Sequence, residues 1–141
     1  MKRKGSAIWQ GGLRDGKGTV STESGVLNGT QYSFATRFES GAGTNPEELI
    51  AAAHAGCFTM ALSKQLEDAG MKAEGINTTA EVTLEKTDAG FTITKIHLDV
   101  TARVAGGDPA AFEAAANSAK AGCPVSRLLK ADITMDARLE G

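Results

Sequence analysis

A long uncharged run in the middle of the chain dominates the pattern of hydrophobic and polar positions. No residue from Leu49 to Leu62 is charged. Asn45 followed by Pro46 is typical of a helix N-terminus, and Gly70 is typical of the position just after a helix ends. We therefore predict one long helix over residues 46–69, and because it is apolar on all sides we expect it to be buried.

This predicted helix carries further signals at its start and along its length. Glu48 follows Asn45 at capping-box spacing, and Glu47 lies where the helix dipole favours negative charge. Small side chains between Ala51 and Gly56 would let another element approach closely. The run is too short to span a bilayer, which needs about 20 apolar residues. The pattern therefore predicts a core helix that packs against a close neighbour.

The residues before this helix alternate in the way that β-strands do. Tyr32, Phe34 and Phe38 alternate with polar positions. A strand would place these three rings on one face and Arg37 on the other. We predict strands throughout residues 5–39.

A second group of strands follows the long helix. Apolar residues alternate over 76–84, residues 88–90 form a turn signal, and a second alternating stretch covers 91–100. The parity of that second stretch changes near Thr94, which predicts a β-bulge.

The last part of the chain mixes helix and strand signals. Asp108-Pro109 predicts a helix that runs to about Ala121, and Cys123-Pro124 predicts a short helix with Cys123 as its N-cap. Residues 133–139 alternate as a final strand. The order of elements predicts an α+β fold, and the length predicts a single domain over residues 1–141.

Composition and charge narrow the function classes. The net charge of −2 gives no reason to expect nucleic acid or an anionic membrane as a partner. The basic residues at positions 2–4 have no apolar segment behind them, so we expect no signal peptide and no transmembrane segment. We therefore expect a cytoplasmic protein, whose thiols are kept reduced.

Two cysteines are the main candidates for chemistry. Cys57 lies in the middle of the predicted long helix, and Cys123 lies at a helix N-terminus, which lowers a thiol pKa. Inert core thiols, a redox pair and a metal site are all compatible with this placement. A metal site would need His54 and His97 as well, and the ligand spacings typical of metal sites are absent. His54 could bias the nearby Cys57 thiol, or it could be a buried, hydrogen-bonded core residue.

Several segments resemble the osmotically inducible protein and organic hydroperoxide resistance (OsmC/Ohr) family. The similarity is carried by residues 43–62, 18–27 and 119–126, and the two cysteine segments together are specific. Thr-Arg-Phe-Glu at 36–39 and Gly-Val-Leu-Asn at 25–28 look more like the OsmC branch than the Ohr branch.

This resemblance implies a fold and an activity. The implied fold has antiparallel sheets wrapped around a long buried central helix in an intertwined homodimer. The implied activity is that of a thiol-dependent, two-cysteine peroxidase for organic hydroperoxides, with no cofactor and no metal. In it Cys57 is the peroxidatic cysteine and Cys123 is the resolving cysteine. The resulting disulfide requires an external dithiol reductant, which in the family is of the lipoyl type.

The resemblance also implies an arginine held by a carboxylate beside the thiolate. The matching residues are Arg37 and Glu47, and Arg14 is the rival because the Ohr branch carries its arginine in a similar turn. Glu47 and Cys57 are ten residues apart, which is about 15 Å along a helix. Glu47 can therefore serve Cys57 only if a second copy of the helix runs past it, as in a dimer.

Two other function classes remain open from the sequence. One is a non-enzymatic binding protein for lipid-like ligands, and the other is a thiol redox sensor. Peroxide consumption by the purified protein with a dithiol distinguishes the enzyme from the binding protein.

Overall fold

The computed structural model describes all 141 residues, and the chain divides into two compact units, Met1–Leu49 and Ile50–Gly141. The boundary between the two units falls inside the long helix. The elements in chain order are β1 (Gly5–Gln10), β2 (Lys17–Thr22), β3 (Thr30–Tyr32), α1 (Phe34–Phe38), α2 (Pro46–Asp68), β4 (Gly75–Thr87), β5 (Gly90–Arg103), α3 (Pro109–Gly122), α4 (Pro124–Leu128) and β6 (Asp132–Glu140).

The first unit contains a three-stranded antiparallel sheet in the order β1-β2-β3. The rings of Trp9 and Tyr32 approach across the sheet with centroids 5.5 Å apart. Gly18 lies beneath both rings, and a Cβ atom there would come within 2.5 Å of each of them. Glycine at this position is therefore required by the close packing of the two aromatic side chains.

The prediction of strands throughout residues 5–39 is wrong at its end, because Phe34–Phe38 form the short helix α1. Ser33 caps this helix: its Oγ accepts from Thr36 N at 3.3 Å, while Thr36 Oγ1 accepts from Ser33 N at 2.8 Å. This reciprocal pair is a capping box. Phe34 and Phe38 also lie one helical turn apart, with ring centroids at 4.9 Å, so their spacing fits a helix as well as a strand.

The start of α2 is capped as predicted. Asn45 Oδ1 accepts from Glu48 N at 2.8 Å, and Asn45 Nδ2 donates to the Thr36 carbonyl of α1 at 2.9 Å. The Glu48 carboxylate accepts from the Thr44 hydroxyl at 2.7 Å instead of returning to the backbone of Asn45. These bonds fix the end of α1 to the beginning of α2 within the first unit.

The second unit contains the sheet β4-β5-β6. Strands β4 and β5 are antiparallel, and their register skips Thr94, because Thr83 pairs with Lys95 and Leu84 with Ile93. The predicted β-bulge is therefore confirmed. The expectation of purely antiparallel sheets is wrong for β6, which pairs with β5 in parallel after the connection through α3 and α4.

The core of the second unit lies between α2, α3 and the sheet. Phe58, Leu62 and Leu66 of α2 are fully buried and belong to one cluster with Ile96 and Leu98 of β5. The helix is not covered on all sides within the single chain, because a stripe of four residues is exposed. This exposed stripe consists of Ala52, Ala53, Gly56 and Met60.

The predicted α+β class with two small sheets and a long helix is confirmed. Helix α3 begins after the Asp108 N-cap, whose side chain accepts from Ala111 N. No helix combines the length and the hydropathy needed to cross a membrane. The single domain and the homodimer stay predictions.

Candidate active site

Cys57 lies on α2 at the edge of a pocket of about 420 Å³. Cys57 is partly exposed, so the expectation that it is buried with the rest of the helix is wrong. Helices α2 and α3 and the start of α4 form the walls, which are lined by Met60, Ala61, Lys64, Gln65, Ser118, Ala119, Gly122, Cys123 and Pro124. A small molecule in this pocket would therefore contact Cys57.

Cys123 is the N-cap of α4, as predicted, and it is fully buried. Its Sγ accepts from Ser126 N at 3.4 Å, which is the role that a serine or aspartate oxygen normally plays at a helix N-terminus. Pro124 follows at the first helical position and suits it because proline has no N–H to satisfy.

The two cysteines lie next to each other and are not joined by a disulfide. Both are free thiols, and burial of Cys57 together with its hydrogen bond to Cys123 raises the pKa of Cys57. Val125 N donates to Cys57 Sγ at 3.5 Å and lowers this pKa, but burial has the larger effect. The structure thus brings together the two thiols that sequence reasoning singled out.

His54 is fully buried and hydrogen-bonded, as one of the two sequence interpretations held. Its Nε2 lies 2.7 Å from Ser126 Oγ, and Ser126 Oγ lies 3.2 Å from Cys123 Sγ. Burial lowers the pKa of His54. The imidazole therefore contacts the Cys123 end of the thiol pair through a serine hydroxyl.

Arg37 and Glu47 form an ion pair in the first unit. Arg37 Nε donates to Glu47 Oε1 at 2.9 Å, and the Glu47 side chain is only 11% exposed. The other carboxylate oxygen, Oε2, is buried without a hydrogen-bond partner. Glu47 thus holds the arginine by one oxygen and keeps a second acceptor free.

Arg14, the rival arginine, has a different partner. Its guanidinium carbon lies 4.6 Å from the centroid of the Phe34 ring, a cation–π geometry. Within the first unit, Arg37 rather than Arg14 is therefore the arginine that forms an ion pair with Glu47.

Comparison with known proteins adds sequence evidence to this geometry. A sequence profile described as OsmC-like protein matches residues 39–138. A protein named peroxiredoxin OsmC from Escherichia coli (strain K12) is 58% identical over 140 residues, which cover 99% of this chain and 98% of that protein. The chain belongs to the OsmC-like protein family. The predicted family and its OsmC branch are confirmed.

Solved structures of OsmC-like and related proteins share the fold. A Legionella pneumophila protein, described as an organic hydroperoxide resistance protein OsmC, is 28% identical, with a TM-score of 0.67 and coverage of 98% of this chain and 97% of that chain. The organic hydroperoxide resistance protein OhrB of Bacillus subtilis has a TM-score of 0.68 at 23% identity, over 97% of this chain and 98% of that one.

Sequence reasoning missed two residues of this candidate site. Val125 acts through its backbone N–H, which no side-chain pattern indicates. Ser126 lies 72 positions from His54, so their contact depends on how α4 packs on α2. The only local signal was the position of Ser126, three residues after the cysteine N-cap.

Proposed function

We propose that this OsmC-like protein is a thiol-dependent peroxidase that reduces organic hydroperoxides to alcohols. The observation that carries the proposal is the pair of reduced thiols, one partly exposed at a pocket and one buried beside it. A reactive cysteine must be reached by substrate, whereas a resolving cysteine needs only to reach its partner. Cys57 is therefore the peroxidatic residue and Cys123 the resolving residue.

The chemistry proceeds in two balanced steps. The Cys57 thiolate attacks the terminal peroxide oxygen, the O–O bond breaks, and the released alkoxide takes a proton to become the alcohol. Cys57 is left as a sulfenic acid. The Cys123 sulfur then attacks the Cys57 sulfur, the S–O bond breaks, and the hydroxyl leaves as water, which gives a Cys57–Cys123 disulfide. An external dithiol reduces this disulfide by thiol–disulfide exchange.

Arg37 and Glu47 complete the proposed machinery. Because burial raises the pKa of Cys57, the thiolate needs a cation to form near neutral pH. The family resemblance assigns that cation to Arg37, and its 2.9 Å bond to Glu47 supports the assignment. Since Glu47 and Cys57 are separated along α2, we propose that each active site takes its arginine from the second chain of a homodimer.

The pocket favours substrates with an apolar part. Its wall is largely formed by methylene, methyl and ring carbons, with Met60 and Pro124 among them. Phe58, the residue after Cys57 on α2, is fully buried in the core and does not line the pocket. We therefore expect alkyl hydroperoxides with apolar tails to react faster than hydrogen peroxide.

Peroxide consumption by the purified protein tests the proposal. We expect the protein to consume an alkyl hydroperoxide catalytically when a lipoyl-type dithiol is supplied. Cys57→Ser should abolish the first oxidation step, while Cys123→Ser should retain one turnover and then overoxidise. Equal loss of sulfenic acid formation in both variants would contradict the assigned roles. If neither thiol oxidises faster than a free cysteine, the protein is not a peroxidase and the ligand-binding interpretation replaces it.

A further inference from the structure

A buried hydrogen-bond chain connects His54 to the resolving cysteine. It runs from His54 Nε2 to Ser126 Oγ at 2.7 Å and from Ser126 Oγ to Cys123 Sγ at 3.2 Å. His54 and Cys123 are fully buried, and Ser126 is 8% exposed. The peroxidase steps described above make no use of His54 or Ser126.

The direction of the hydrogen bonds follows from the other ring nitrogen of His54. Nδ1 is buried and has no hydrogen-bond partner. Because burial keeps the imidazole neutral, the ring carries one N–H, and a proton on Nδ1 would leave a buried donor unpaired. The proton therefore belongs on Nε2, which donates to Ser126 Oγ.

This tautomer determines what Ser126 can do. A hydroxyl has one proton to donate, and its oxygen already accepts from His54. The O–H of Ser126 is thus free to donate to Cys123 Sγ, which also accepts from Ser126 N at 3.4 Å. Two donors are therefore aimed at one sulfur, and both can bind the thiolate from which Cys123 would attack.

We infer that Ser126, oriented by His54, is a positioning residue that prepares the Cys123 sulfur as the nucleophile of the disulfide-forming step. The inference deepens the proposed function and rests on it for the role of Cys123. Cys123 attacks as the thiolate, the Cys57 S–O bond breaks, and the departing hydroxide takes a proton to become water. His54 acts as a fixed hydrogen-bond donor and does not carry the proton away.

Few other groups compete for this sulfur. Cys57 on α2 is its titratable neighbour, and Lys64 lines the same pocket from α2 but is paired with Asp68 at 2.7 Å. The other histidine of the chain, His97 on β5, bonds Thr134 and Asp136 in a separate network. Lys64 is the only charged residue that lines the pocket, and Ser126 donates both of the hydrogen bonds from outside the thiol pair that we assign to the Cys123 sulfur.

Single-turnover kinetics test the inference. After one equivalent of alkyl hydroperoxide, we expect Ser126→Ala and His54→Leu to slow disulfide formation by about tenfold and to move its pH profile to higher pH, since a hydrogen bond to a charged group is lost. Sulfenic acid formation on Cys57 should not slow, because a less readily ionised Cys123 opposes the Cys57 thiolate no more than in the wild-type protein. His54→Gln, which retains a donor near the Nε2 position, should restore most of the rate, and His97→Gln serves as the matched control.

A peroxide-free measurement separates this inference from the proposed function. In the Cys57→Ser background one thiol remains, so ultraviolet absorbance of the thiolate reports the ionisation of Cys123 directly. Ser126→Ala should move that titration to higher pH. If the titration and the disulfide rate both stay unchanged in Ser126→Ala and His54→Leu, the inference is wrong. If His54→Gln behaves like His54→Leu, the donor role is wrong. If the titration moves but the wild-type protein forms no sulfenic acid, the proposed peroxidase fails while the link from Ser126 to Cys123 stands.

Discussion

At the scale of single residues, the Cys57 thiol is subject to opposing influences. Burial and the neighbouring Cys123 raise its pKa, while the Val125 N–H lowers it. A raised pKa means that the thiolate, the reactive form, appears only at higher pH. Removal of Cys123 should therefore shift the Cys57 reactivity towards lower pH.

We predict this shift for Cys123→Ser, in which the serine oxygen can still cap α4. The measurement is the pH–rate profile of Cys57 alkylation by a small iodoacetamide-type reagent. Ser118→Ala is the matched control, because Ser118 lines the same pocket. A profile that stays in place or moves to higher pH would show that Cys123 does not oppose ionisation of Cys57.

Either Arg37 or Arg14 could be the residue that stabilises the Cys57 thiolate, and we expect it to be Arg37. Arg37→Ala should move the Cys57 alkylation profile to higher pH and slow the first oxidation step, because the cation that offsets thiolate burial is lost. Glu47→Ala should do less, since the arginine remains but is no longer held at 2.9 Å. Arg14→Ala is the control. If Arg14→Ala moves the profile and Arg37→Ala does not, the Ohr-like assignment replaces ours. If neither moves it, the electrostatic account fails.

At the scale of helices and strands, the sequence predicted correctly those features that depend on residues close together in the chain, such as helix caps and the β-bulge. The N-caps Asn45 and Asp108 both hold their helices, since capping involves residues within one turn. The bulge at Thr94 was visible because a change of side-chain parity is itself a local pattern. Regular elements with such signals could thus be predicted from sequence alone.

Two elements could not be predicted in this way. For residues 34–38, the alternating pattern fitted both a strand and a one-turn aromatic pair, and the Ser33–Thr36 capping box decided for the helix. The alternation in β6 identifies a strand but not its neighbour, so its parallel pairing with β5 depends on the path of the chain through α3 and α4. The contact of His54 with Ser126 could not be predicted for the same reason, because it too depends on how distant parts of the chain pack together.

The cap at Asn45 has a measurable energetic consequence. Its side chain accepts from Glu48 N and donates to the Thr36 carbonyl. Asn45→Ala should lower the free energy of unfolding by about 1–2 kcal/mol, since it loses both a helix cap and a hydrogen bond to α1. Asn45→Ser should recover about half of the loss, because serine can cap α2 but cannot reach Thr36. Urea denaturation measures both, and equal stability of the three proteins would mean that the cap has no net effect.

At the scale of the whole molecule, we expect a second copy of the chain to pack against the exposed stripe of α2. A Cβ atom at Gly56 would meet nothing within 4 Å, so a side chain there begins in open space in the single chain. We predict that the wild-type protein sediments as a homodimer at micromolar concentration and that Gly56→Arg sediments as a folded monomer. Ala114→Arg, at an exposed position of α3, is the charge-matched control and should stay dimeric. A wild-type monomer that is fully folded would contradict the prediction.

We predict that two chains contribute residues to each active site. Glu47 holds Arg37, and ten residues of α2, about 15 Å, separate Glu47 from Cys57. If each site takes Arg37 from one chain and Cys57 from the other, two impaired variants should complement each other. Chains carrying Cys57→Ser and chains carrying Arg37→Ala, unfolded together and refolded as mixed dimers, should form one intact site in each heterodimer.

We expect hydroperoxide reduction in the mixture to rise well above the sum of the separately refolded variants. Mixing Cys57→Ser with Cys123→Ser provides the contrast, because both cysteines belong to the second unit of one chain and no mixed dimer can then hold a complete thiol pair in the same chain. Gly56→Arg introduced into both partners should remove the complementation along with the dimer. Activity equal to that sum, in a sample where sedimentation shows heterodimers, would mean that Arg37 serves the cysteine of its own chain.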